Sequence, residues 1–365
     1  MQRAHALTSG IVLAGTFAWS NSTFDRLAPR PLVPVAHRPL ISFSLVWLQQ
    51  AGIKSIAVCA NRNSRGVQTT LLRHSSDDLD LSYFEDAMPR GAAGCMRDAA
   101  VASDSQTFVV LDGCMVPELD LDDLLRTHHA SGAIATVVVS PERRRGEGSP
   151  LQVPAGIYVF ERRAIDMVSR HGFVDIKEHL IPRLVKAGER IVPYIFRADM
   201  PRVLNTETYL ATHEHVTQVI AASRSGLFLP AGYEVRGEAL VHAEASIGPD
   251  VILTGPVLVA AGATILPRAV IVGPTSIGCD VTIGVGAVVS RSAVWRRARI
   301  FANAIVDRSI VADDGVVERG REAYRTVVAP DDVNGSPRVL RRSTTSAQPA
   351  ALGRQPSTEP AASGA

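Results

Sequence analysis

The chain has 365 residues, 46% of them hydrophobic and 20% charged, with a formal net charge of +2. That length accommodates two or three domains with a sizeable core, and the even charge balance gives no general basis for nucleic acid or an anionic membrane as partner. Cys59, Cys95, Cys114 and Cys279 are scattered without zinc spacing, which fits a reduced chain in the cytoplasm.

The opening "MQRAHALTSGIVLAGTFAWS" reads as a buried first strand rather than a signal peptide, because Thr8, Ser9 and Gly10 interrupt its apolar stretch. No apolar run reaches the ~20 residues of a membrane-spanning helix. A strand over 11–14 runs into a loop that carries only Gly15, where a phosphate cradle usually holds several glycines. Phe17 and Trp19 occupy that loop. The segment "LISFSLVWLQQAG" sets Leu40, Phe43, Trp47 and Leu48 on one helical face and stops at Gly52. Further strands are expected over 53–60, 107–113 and 133–140, with helices between. Such alternation predicts a mainly parallel, doubly covered sheet over residues 1–220. Ligands bind such sheets at the carboxyl ends of the strands, so chemistry belongs in the loops after Ala14 and Leu111.

Residues 229–317 follow a different rule. Stepping by six from Val241 meets Ile247, Leu253, Val259, Ile265, Ile271, Ile277, Ile283, Val289 and Trp295, all apolar. Four positions after each step the side chain is mostly small or β-branched. This is the pattern of a left-handed parallel β-helix of hexapeptide repeats, with the stepping residues inside. Gly248, Gly278 and Gly284 are read as relieving tight turns. Residues 328–365, rich in Pro, Ser, Thr and Ala, are expected to be a disordered tail.

A nucleotide-binding sheet followed by a hexapeptide β-helix resembles the sugar-phosphate nucleotidyltransferases, the mannose-1-phosphate guanylyltransferase branch among them. "APRPLVPVAHRPLI" (28–41), "GAAGCMRDA" (91–99), "VVLDGC" (109–114), "PAGIYVF" (154–160) and "VDIKEHLIPRLVKAG" (174–188) carry the resemblance. It implies attack of a sugar 1-phosphate on the α-phosphate of a nucleoside triphosphate, with Mg²⁺ as cofactor. It also implies nucleotide contacts for Gly15, Glu85, Gly91 and Gly94, and sugar contacts for Gly156 and Lys177. Beside this stands a plainer reading of the "DIKE" segment, in which Asp175 caps a helix start.

Several positions depart from the family pattern. Ala18 and Thr16 stand where loop glycines are expected, and Ser20 stands in place of the loop Arg. Arg30 replaces the clamp Lys. Cys114 falls on one metal Asp, and Arg202 falls near the other. Pro154 replaces the Asn before Ala-Gly, and only "PERRRGEGSPLQV" (141–153) bridges a region that in the family is long and holds a sugar-phosphate Lys. If the chain is active, Asp112 is the metal ligand and Arg30 the phosphate partner. The favoured expectation is a catalytically impaired relative. It would bind a nucleotide or nucleotide sugar and associate through its β-helix, as a homo-oligomer or with an active relative, in a regulatory or scaffold role. Surface polysaccharide synthesis is the pathway by analogy. The alternatives are a divergent active enzyme that releases pyrophosphate, and an assembly module without nucleotide binding.

Overall fold

The computed structural model describes residues 8–15, 23–64, 66–74, 79–86, 89–142, 151–223, 232–330 and 339–340. Phe17, Trp19, Ser20, Arg143 to Arg145 and nearly all of the predicted tail lie outside the described residues.

In chain order the first domain contains β1 (Thr8–Leu13), α1 (Thr23–Leu27), β2 (Pro34–Val35), β3 (Arg38–Pro39), α2 (Ile41–Gln50), β4 (Ser55–Asn61), α3 (Val67–His74), β5 (Asp80–Asp86), α4 (Gly91–Val101), β6 (Thr107–Asp112), α5 (Leu121–Ser131), β7 (Ala135–Glu142), β8 (Leu151–Glu161), α6 (Arg162–Asp166), α7 (Ile181–Lys186), β9 (Ile191–Ile195) and α8 (Thr206–Ser223). Seven strands form one sheet in the order β5-β4-β1-β6-β8-β7-β9. The pairings β1–β4, β4–β5, β1–β6 and β7–β9 are parallel, so their connections need crossovers. β8 runs antiparallel to both its neighbours. The bridge from β7 to β8 is too short for a crossover, which explains this one departure from the parallel expectation.

Continuous apolar strands are possible because both sheet faces are covered. Val12, Val109 and Leu111 are fully buried towards α2 and α5, while Ile11, Phe108 and Val110 are buried on the other face with α4 and α6. The indole of Trp47 donates to the Leu119 carbonyl at 2.9 Å, so its one polar atom is satisfied inside this core. α2 stops at Gly52, whose φ of +78° costs an L side chain but not glycine.

From Tyr233 onward the chain winds into a parallel β-helix, with three flat sheets of stacked short strands. Val241, Val259, Ile265, Ile271, Ile277, Ile283 and Val289 point inward and are fully or almost fully buried, with Ile247 and Leu253 packed against them at the open first coil. The first coils are eighteen residues long, since Val241 pairs with Val259 and Val259 with Ile277. The later ones are seventeen, since Ile277 pairs with Val294 and Val294 with Val311. One residue is dropped between Val289 and Val294. The strict six-step therefore fails at Trp295: Val294 occupies the interior and Trp295 turns outward. Ile300, Val306 and Val311 resume the interior register, and the coils continue past 317 to Val328. Val339–Leu340 then pairs antiparallel with Val327–Val328, so the C-terminal stretch begins with an ordered strand.

The roles of three glycines also need correcting. Gly248, Gly278 and Gly284 do not supply turn dihedrals. They lie where the next coil's backbone comes so close that a Cβ would sit 2.8, 2.9 and 2.4 Å from it, at Pro267 N, Trp295 C and Ala302 N. The left-handed corner positions are taken instead by Asp250, Arg268, Asp280, Arg297, Asn303 and Asp314, among others.

The two domains share a core. The outward residues Leu240, Leu258, Ala293, Ile310 and Val327 of one β-helix sheet pack with Val33, Val35, Leu40 and Phe43 from the Pro-rich segment, and with Tyr209, Val216 and Ile220 from α8.

Candidate functional site

The carboxyl ends of β1 and β6 lie side by side, Leu13 pairing with Asp112. Gly113 N–H donates to the Leu13 carbonyl at 2.9 Å, fixing the exit of β6 against β1. The chain then makes a short antiparallel contact: Val116 N–H donates to Pro201 O at 2.9 Å and Val203 N–H to Cys114 O at 2.8 Å. Arg202 is thereby held beside Asp112. Its Nη2 meets Asp112 Oδ2 at 2.8 Å, with the two side chains 24% and 30% exposed. The other carboxylate oxygen accepts the Cys114 N–H at 2.9 Å. Gly156 on β8, at φ +86°, lies against this pair. A Cβ there would be 3.4 Å from Arg202 Nη2 and 3.5 Å from Asp112 Cβ.

Cys114 is buried. Burial above all, and the neighbouring Asp112 carboxylate next, push its thiol well up, so it is no thiolate; Arg30 and Arg202 are the cations within its electrostatic reach. Tyr158, on the same strand as Gly156, is likewise pushed up by burial, and Arg202, Asp175 and Asp112 all act on it. The structure thus gathers Arg30, Asp112, Cys114, Gly156, Tyr158 and Arg202 by the carboxyl ends of the central strands β1 and β6. Gly15 joins them, exposed two residues beyond Leu13.

Other expected contacts have structural reasons of their own. Gly91 opens α4 at φ +74°, and a Cβ on it would fall 2.5 Å from the Val174 carbonyl. That carbonyl takes the N–H groups of Ala93 and Gly94 at 3.0 and 3.3 Å, occupying donors of the helix start. Gly94 gives room to Arg90, whose Cβ would be 2.9 Å from an added methyl, and Arg90 reaches over to pair with Asp98. Lys177 is exposed, and its backbone N–H, with that of Glu178, is capped by Asp175 Oδ1 at 2.7 and 3.0 Å. The Asp175 cap expected for the "DIKE" segment is therefore present. Glu85 ends the edge strand, three strand spacings from Asp112, on the order of 14 Å away.

The group around Asp112 does not suit Mg²⁺. A hard dication needs several oxygen ligands, and here both carboxylate oxygens are engaged, one by a guanidinium that would repel it. Among the described residues, the cluster able to offer three metal-binding side chains is His128, His129 and Glu161. It lies at the opposite end of β6. His128 is fastened there through Nδ1 to Thr136 Oγ1 at 2.8 Å and through Nε2 to Glu161 at 3.0 Å, a clasp between α5 and the sheet.

Arg202 was legible in the sequence only as a departure from a pattern, and its pairing with Asp112 was not. Tyr158 was missed, although it sits in the quoted "PAGIYVF" stretch.

The fold is a nucleotidyltransferase-like α/β domain followed by a parallel β-helix. The "Nucleotidyl transferase" family model matches residues 9–147 and the "GMPPB C-terminal domain" model residues 253–348. These matches support a sugar-phosphate nucleotidyltransferase, mannose-1-phosphate guanylyltransferase-like. It is 27% identical over 250 residues to the mannose-1-phosphate guanylyltransferase of Mycobacterium tuberculosis, covering 62% of this chain and 68% of that one. Similarity to a probable mannose-1-phosphate guanylyltransferase 3 of Oryza sativa extends further, 23% over 357 residues, covering 89% and 91%. The solved structure of HddC from Yersinia pseudotuberculosis aligns over 57% of this chain and 99% of its own at 16% identity, with a TM-score of 0.49. No described helix is long and apolar enough to cross a membrane.

Proposed function

We propose that this protein keeps the architecture of a sugar-1-phosphate nucleotidyltransferase but not efficient turnover, and binds a nucleotide or nucleotide sugar as a regulatory or scaffold partner of an active relative. The observation that carries the reading is the 2.8 Å pair between Asp112 and Arg202. In the family reaction a metal held by carboxylates neutralises charge building on the transferring phosphate. In this chain a tethered guanidinium takes the place of the second carboxylate. Cys114 adds no ligand, since a buried neutral thiol is a poor partner for a hard cation. Arg30 and Arg202 still offer positive charge to a phosphate, and Gly156 leaves space beside them. Anion binding without a metal is thus favoured over phosphoryl chemistry. Association through the β-helix and a place in surface polysaccharide synthesis rest on analogy.

The test is a pyrophosphate-release assay with purified protein, GTP and mannose 1-phosphate, extended to other nucleotides and hexose phosphates, beside calorimetric titration with GDP-mannose. Binding of the nucleotide sugar with equal affinity in Mg²⁺ and in chelator, and no release of pyrophosphate, is expected. Turnover within the usual ~1–10³ s⁻¹ would establish the divergent enzyme instead. Cys114→Asp alone is expected to restore no activity.

A further inference from the structure

The hydroxyl of Tyr209 stands where three parts of the chain meet. It donates to the Pro34 carbonyl at 2.6 Å and accepts the Trp295 Nε1–H at 2.8 Å. Both of its ordinary hydrogen-bonding roles are therefore used, inside a fully buried site. Its ring contacts Phe24 with centroids 5.2 Å apart, and Trp295 at 6.0 Å with the planes 70° apart. Trp295 belongs to the β-helix, at the position where the coil shortens and this side chain turns outward.

Two connections lead from Tyr209 back to the Asp112–Arg202 site. Pro34 follows the short helical turn Arg30–Leu32, which Val33 closes by donating to the Arg30 carbonyl at 3.2 Å. In the other direction, Tyr209 N–H donates to the Asn205 carbonyl at 2.9 Å, and Val203 just before is tied to the Cys114 carbonyl. Arg202 adjoins Val203. The two cationic side chains of the site thus stand on separate segments, one bonded to the Tyr209 hydroxyl through Pro34 and the other to the Tyr209 main chain through Asn205. Packing alone would be met by phenylalanine. The hydroxyl adds a directional link, beside the His37–Tyr233 hydrogen bond, between segments whose remaining contact is largely apolar and non-directional.

We propose that Tyr209 is a positioning residue: through Pro34 and the 203–205 segment it sets Arg30 and Arg202 for a common anion, and through Trp295 it joins that setting to the β-helix. The proposal rests on the reading that this site takes a nucleotide sugar.

The experiment uses the full chain and GDP-mannose as probe. Tyr209→Phe keeps the ring and leaves Pro34 O and Trp295 Nε1 unpaired. It is expected to weaken GDP-mannose binding about tenfold. In an Arg30→Gln background the same change is expected to cost clearly less, about threefold, because one of the two residues it positions is gone. Equal loss in both backgrounds means general loosening and overturns the proposal, as does unchanged affinity. Hydrogen exchange of the 30–40 segment in unliganded protein is the second readout, and does not depend on the ligand. Faster exchange in both Tyr209→Phe and Trp295→Phe is expected, and wild-type rates in both would sink the relay. If wild-type protein binds no nucleotide sugar, the site reading fails, and exchange alone decides whether the relay exists. Trp295→Phe, which removes the donor together with part of the buried ring and leaves the Tyr209–Pro34 bond in place, replaces Tyr209→Phe in the titrations if the latter does not fold.

Discussion

Asp112 and Arg202 come from segments ninety positions apart, and each is held by backbone hydrogen bonds on both sides before any side chain acts. A partly buried pair of this kind is worth little as net stability, but removing one partner leaves a desolvated charge. Asp112→Asn is therefore expected to lower stability modestly, by about 1–3 kcal/mol, in urea unfolding. The glycines separate two demands that the sequence shows alike. Gly52 and Gly91 both sit at positive φ, but an added Cβ meets nothing within 4 Å at Gly52 and meets the Val174 carbonyl at 2.5 Å at Gly91. Gly52→Ala is expected to cost about 1 kcal/mol. Gly91→Ala should cost at least twice as much, and equal denaturation midpoints for the two variants would contradict the close approach. From sequence, Gly91 could be read only as a nucleotide contact or a turn. Its neighbour Val174 lies too far along the chain to announce itself.

Secondary elements were legible to the extent that a period exposed them. The inward file of the β-helix was read correctly from Val241 to Val289, because a hexapeptide repeat writes burial directly into spacing. It failed at Trp295 because both Val294 and Trp295 are apolar, and a one-residue deletion cannot be placed between two equally good candidates. Only the paired strands place it. In the first domain, strand positions followed apolar runs, but β8 gave no sign of its direction. Direction is set by connection length and not by residue type. The inward assignment makes a paired prediction. Ile277→Asp buries an unpaired carboxylate and should abolish cooperative unfolding or sharply lower the melting temperature. Ile252→Asp, on the outer surface at 54% exposure, should leave the melting temperature within a few degrees of wild type.

The interdomain core holds two histidines that the sequence presented as ordinary polar residues. His37 and His213 are lowered to about 4 and about 3, burial being the main cause in each. His37 Nδ1 meets the Tyr233 hydroxyl at 2.9 Å. The backbone of Ser292 lies close enough to His213 to favour its proton somewhat, yet neither ring nitrogen makes a well-formed hydrogen bond. Both rings are thus neutral in the fold, while an unfolded histidine titrates near 6.5. Above that pH the two states bind protons alike. As pH falls below it, only the unfolded chain takes up protons, so stability drops through the window down to about 4 for His37 and about 3 for His213. His213→Leu should flatten this acid limb. Denaturant midpoints at pH 7 and pH 5 should differ less in the variant than in wild type, and an equal difference would show that His213 does not carry the effect.

The Asp112–Arg202 pair also has a consequence for descent. Placing a carboxylate at Arg202 alone would bring two acids together with no cation between them, and placing one at Cys114 alone would bury a third polar group without a ligand to hold. Each single change is worse than the present arrangement until the others have been made. On the function proposed above the pair would act as a ratchet: with the guanidinium held on Asp112, a route to a metal-binding site would run through less stable intermediates. On that reading selection acts on what the surfaces recognise, because no single substitution at Asp112, Cys114 or Arg202 assembles a metal site.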